Sequence, residues 1–60
     1  MHTLVSYIVK AIPEGWDMTV YIDGVEFSNR GPFSDWDDAW EAGLSEQEAV
    51  TKAIRAELSL

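Results

Sequence analysis

The stretch Gly43–Glu48, "GLSEQE", decides how the second half of the chain is read. Gly43 suits the end of a helix, because a residue without Cβ closes a final turn in the left-handed conformation. Ser45 and Glu48 have the spacing of a reciprocal cap, in which hydroxyl and carboxylate each satisfy an orphan N–H of a helix start. The pair predicts one helix ending at Gly43 and a second from Glu46 to about Leu58.

Upstream of that break, Ser34 suits an N-cap, with acids at the first and third helical positions, where the helix dipole favours them. At 100° per residue, Trp36, Ala39, Trp40, Gly43 and Leu44 share one arc. Asp37, Asp38 and Glu41 take the opposite arc, with Asp35 at its edge. Beyond the break, Val50, Ala53, Ile54 and Leu58 are expected to form the buried stripe of the second helix, and Glu48–Lys52 is a favourable i,i+4 pair. Glu57 falls within the apolar arc, and helix physics offers no reason for it.

The first half reads as strands. Thr3–Ile12, "TLVSYIVKAI", is β-branched and aromatic, and Pro13 closes it. Pro13–Asp17 has the composition of a turn. Met18–Ile22 leads into Asp23-Gly24, a strong two-residue hairpin signal. That hairpin predicts the pairs Ile22–Val25, Tyr21–Glu26 and Val20–Phe27. Met18, Val20, Ile22, Val25 and Phe27 then share a dry face, and "NRGP" at Asn29–Pro32 ends the sheet. The expected fold is α+β, a single domain over residues 1–60: a three-stranded antiparallel meander with two helices on one face (β-β-β-α-α).

Sixty residues without cysteine exclude a disulfide framework and a thiolate zinc cage. No apolar run reaches the ~18–20 residues that span a bilayer. The start "MHTLVSYIVK" lacks a basic leader and a small-residue cleavage site, so a cytoplasmic protein is expected. Eleven acids against four bases give a net charge of −7. Such a surface repels nucleic acid and anionic membranes, so a charged partner should be basic.

Catalytic chemistry finds little support. The single histidine, His2, is terminal, which leaves a Ser–His arrangement without a base. Gly15, Gly24, Gly31 and Gly43 lack phosphate-cradling spacing. Asp35, Asp37 and Asp38 in "DWDD" do not match an EF-hand loop, and on a helix they splay apart. No catalytic residue, metal site or cofactor is expected.

Trp36 and Trp40, four apart, are expected to pack as a core stripe on Val20, Phe27 and Val9. Trp16 stands in the predicted turn, where it either folds back over the sheet or anchors a partner. Asp35, Asp37, Asp38, Glu41, Glu46 and Glu48 place six negative charges in fourteen residues with no base. As helix that length spans roughly 21 Å, or about 3.5 Å per charge. One DNA strand carries a charge every ~3.4 Å. Capping and dipole rules explain where these acids stand, but not their excess.

Three resemblances bear on function. "AWEAGLSEQEAVTKAIRAEL", Ala39–Leu58, resembles the helix-turn-helix half of ribbon-helix-helix repressors, whose Gly-x-Ser turn opens the second helix. That resemblance implies a preceding strand and an intertwined dimer, although the strand "VEFSN" carries none of the bases a DNA-reading strand uses. "IPEGW", Ile12–Trp16, resembles MbtH-like adaptor proteins at Pro13, Gly15 and Trp16, which implies binding to an adenylation domain. In size, acidity and lack of cysteine the chain is similar to phage-encoded inhibitors of the anti-CRISPR and anti-restriction type. That similarity implies a stoichiometric binder whose partner-binding residues are Asp35, Asp37, Asp38, Glu41, Glu46, Glu48 and Trp16.

The leading expectation is a non-enzymatic acidic inhibitor, a DNA mimic occupying the basic nucleic-acid-binding surface of a larger complex. The alternative is a small structural or regulatory homodimer, ribbon-helix-helix-like or adaptor-like, formed through the first strand, whose acidic face is only solvated. Leu4, Ile8 and Ile12 of that strand are left over on the face away from the helices.

Overall fold

The computed structural model describes residues 3–58, so His2 lies outside the described residues. It contains strands β1 (Val5–Ile12), β2 (Gly15–Ile22) and β3 (Val25–Phe33), followed by one helix, α1 (Trp36–Leu58). The α+β class and the antiparallel β1-β2-β3 meander match the expectation. The helix count does not.

The two predicted helices are one. Gly43 and Ser45 lie in the interior of α1, not at a boundary. An interior glycine costs about 1 kcal/mol relative to alanine. Here the Tyr7 ring of β1 fills the space a Cβ would need, so a close helix–sheet contact offsets the intrinsic penalty. The Gly-x-Ser turn of the repressor resemblance is therefore absent. The start is also displaced by one residue: the Asp35 carbonyl accepts the Ala39 N–H at 3.2 Å, which makes Asp35 the N-cap instead of Ser34.

The β1–β2 register is uninterrupted from Val5↔Ile22 to Ile12↔Gly15, so the turn shrinks to Pro13-Glu14, and Trp16 and Asp17 belong to β2. Gly15 begins that strand because β3 passes very close. A Cβ there would run into the Phe33 carbonyl, and its φ of 142° disfavours other residues.

The second hairpin pairs Ile22 with Val25 and Tyr21 with Glu26 as expected, but Val20 pairs with Ser28. Phe27 is the extra residue of a bulge. A second irregularity lies opposite Trp16 to Met18. Beyond it β3 continues through "NRGP" to Phe33.

Alternation sends Val5, Tyr7, Val9, Trp16, Met18, Val20 and Ile22 toward the helix. Among the described residues Met18, Val20 and Ala39 are the fully buried hydrophobic ones. The predicted dry face is only partly dry: Phe27 is 56% exposed and Val25 more so. The cause is the helix path, because α1 packs evenly on β1 and β2 and only brushes β3.

The tryptophan stripe is likewise not core. Trp36 and Trp40 are 42% and 44% exposed. The small residues Ala39 and Gly43 take the sheet-facing positions. The molecule is thin and long, 42 × 18 × 12 Å.

Candidate binding surface

A continuous α1 changes the geometry of the acids. Asp37, Glu41 and Glu48 fall within an arc of about 40° on its outer face, with Asp38 beside them. All four are exposed. Asp37 and Asp38 occupy the first turn, where the N-terminal partial charge of the helix favours carboxylates. Lys52 and Arg55 follow on the same outer face toward the C-terminus. The face is thus acidic over its first four turns and basic over its last two.

Two further predicted acids stand apart. Asp35 is exposed at the N-cap, just before the stripe. Glu46 points the other way, toward β3, where its carboxylate is 3.3 Å from the Arg30 guanidinium and accepts the Ser28 hydroxyl at 3.3 Å. Its side chain is only 18% exposed, so Glu46 is committed to holding the helix on the sheet.

Trp16 is half-buried, paired with Ala11 on one side and Phe33 on the other. It lies on the helix-facing side of the sheet and not in a projecting turn.

The sequence reading that stacks Trp36 and Trp40 on one helical face holds, but their place is an exposed ridge beside the acids and not the core. Trp36 and Trp40 stack with centroids 5.2 Å apart, and Trp40 meets the Tyr7 ring edge-on at 5.1 Å. The i,i+4 spacing was the available signal. Which side of α1 meets the sheet depends on Gly43 being helical.

The opposite sheet face carries a polar seam. The Asn29 amide donates to Asp17 Oδ2 and to Thr19 Oγ1, both at 2.8 Å. Among the described residues no three His, Cys, Asp or Glu side chains come together as a metal site. No helix of the described residues is long and apolar enough to cross a membrane.

Surface clefts among the described residues are open to solvent, two of them on α1. One, of about 180 Å³, lies between the sheet end at Ile22 and Phe27 and the helix residues Val50 and Ile54. The other, of about 280 Å³, runs along α1 between Gln47, Glu48, Thr51, Lys52 and Arg55.

No protein-family model, characterised protein or solved structure matches this chain.

Proposed function

We propose that this chain is a non-enzymatic, acidic protein-binding module. It acts as a stoichiometric inhibitor of the anti-CRISPR or anti-restriction type, covering the basic nucleic-acid-binding surface of a larger complex. The supporting observation is the alignment of Asp37, Asp38, Glu41 and Glu48 along one exposed face of an unbroken helix. A rigid row of carboxylates substitutes for phosphates without the ordering cost of a flexible acidic tail. Opposite charge speeds the encounter, and salt weakens that steering. Asp35 extends the row at its start, and the exposed part of Trp16 is a secondary contact. Glu46 drops out of the binding set.

The test is competition. Purified RNA-guided and restriction nuclease complexes are presented with the chain at low salt, with and without their DNA or RNA. The reading requires one of them to bind the chain and to release it when nucleic acid is added. Reversing charge at Asp37, Asp38 and Glu41 should abolish that binding. Binding alongside nucleic acid, or to no complex tested, rejects the reading.

A further inference from the structure

The edge of β1, together with the flank of α1 above it, carries an inference that does not rest on the function proposed above. The two sheet edges differ. β3 is broken by two irregularities and contains Pro32, features that discourage added strands. β1 is regular along its whole length. The Asp23 N–H donates to the Leu4 carbonyl at 2.8 Å, so even-numbered residues aim their backbone groups at β2. Val5, Tyr7, Val9 and Ala11 aim theirs outward. The Gln47 side chain donates to the Val5 carbonyl at 2.8 Å, and that oxygen retains a second lone pair.

We propose that the β1 edge is the docking surface for a second copy of this chain, paired antiparallel about a two-fold axis at Ser6. Four observations select this occupant and this register.

The first is the strand pairing itself. Centring at Ser6 places Val5 and Tyr7 in hydrogen-bonded pairs across the axis. It also sets exposed Leu4 beside exposed Ile8 of the second copy on the open face.

The second is helix spacing. Strands lie ~4.8 Å apart, and α1 sits over the junction of β1 and β2, so its axis is about 4.8 Å from the two-fold. The helices of the two copies then run antiparallel about 10 Å apart, the ordinary distance for packed helices.

The third is shape. Gly43 lies over Tyr7 and Gln47 reaches Val5, so α1 runs antiparallel to β1 and position 45 is level with Ser6. Trp40, Leu44, Gln47 and Thr51 share a flank of about 60° on the β1 side. The two-fold carries the Trp40–Leu44 ridge of one copy to the level of the Gln47–Arg55 cleft of the other.

The fourth is charge. The same operation sets the first half of α1, acidic from Asp37 and Asp38 onward, level with the second half of the other helix, which carries Lys52 and Arg55, so the attraction acts between helix halves and not through a pair meeting across the flank. A register centred on Ile8 would instead set Glu41 level with Glu41 and acid against acid.

The exposed area agrees. The chain exposes 4504 Å², against about 3,900 Å² expected for a monomer of its mass.

The cysteine-free chain allows a clean test with Ser6→Cys and Ile8→Cys, made separately. Antiparallel pairs without mutual hydrogen bonds have Cα atoms ~4.5 Å apart, within disulfide range. In the proposed register Ser6 meets Ser6, whereas the two Ile8 residues are about 13 Å apart. Mild oxidation should therefore link Ser6→Cys into a covalent dimer at least about ten times faster than Ile8→Cys, because pairing raises the effective thiol concentration. Light scattering on the unaltered protein, which needs no variant to fold, should give a two-chain mass that falls on dilution. A single-chain mass from micromolar to millimolar concentration overturns the proposal. So does a dimer in which Ile8→Cys links as fast as Ser6→Cys, or in which neither links.

Discussion

Tyr7 of β1 lies with its ring against Gly43 of α1, in the space where any other residue would place its Cβ. This contact holds the helix in one piece and sets which of its sides meets the sheet. Gly43→Ala should raise helix propensity by about 1 kcal/mol yet overpack the contact, which costs about 1–3 kcal/mol. The expected result is a net loss of stability in urea unfolding. Ser45→Ala should be neutral or slightly stabilising, because Ser45 is interior to α1. A cap-sized loss of ~1 kcal/mol at Ser45 would restore the two-helix arrangement.

The core is small enough for single truncations to be decisive. Among the described residues Met18 and Val20 are the largest fully buried side chains. Met18→Ala should cost about 2–5 kcal/mol, much of what a domain this size possesses. Circular dichroism should show Met18→Ala largely unfolded at 37 °C. Val25→Ala, at an exposed position, should fold with nearly unchanged stability.

The Arg30–Glu46 pair separates structural from functional acids. Arg30 is 61% exposed, so solvent screens the pair and Glu46→Gln should cost less than ~1 kcal/mol. Thermal melts of Glu46→Gln should lie close to those of the parent chain. Binding to any basic partner should survive this change and disappear on reversal of Asp37, Asp38 and Glu41.

The stacked tryptophans report on the field around the acids. At a dilution that leaves single chains, acrylamide, which is neutral, should quench the fluorescence of exposed Trp36 and Trp40 efficiently. Iodide should quench poorly at low ionic strength and improve as salt shortens the ~10 Å screening length at 0.1 M. Equal quenching by both at low salt would mean that Asp35, Asp37 and Asp38 do not set the local potential.

Much of the sheet is legible in the sequence. Asp23-Gly24 fixes the second hairpin, and the apolar alternation of Val5–Val9 and Met18–Ile22 identifies the face that meets the helix. What misleads is local chemistry overridden by tertiary contact. Gly43 and Ser45 have the residue types of a helix break, and contacts across the layer, the Tyr7 ring against Gly43 and the Glu46 and Gln47 side chains on the sheet, favour an unbroken helix. The same misreading placed Trp36 and Trp40 in the core, because a period of 3.6 identifies an apolar side but not how closely a helix approaches its sheet. Glu46 looks equivalent to Glu48 in sequence, and β3 alone distinguishes them through Ser28 and Arg30.

The irregular β3 also limits how far edge pairing can propagate. With Phe27 bulged out of register and Pro32 lacking an N–H, that side offers no template for a further chain. The proposed association through β1 would use the regular border of the sheet, so growth would stop at a closed pair and would not extend into a filament.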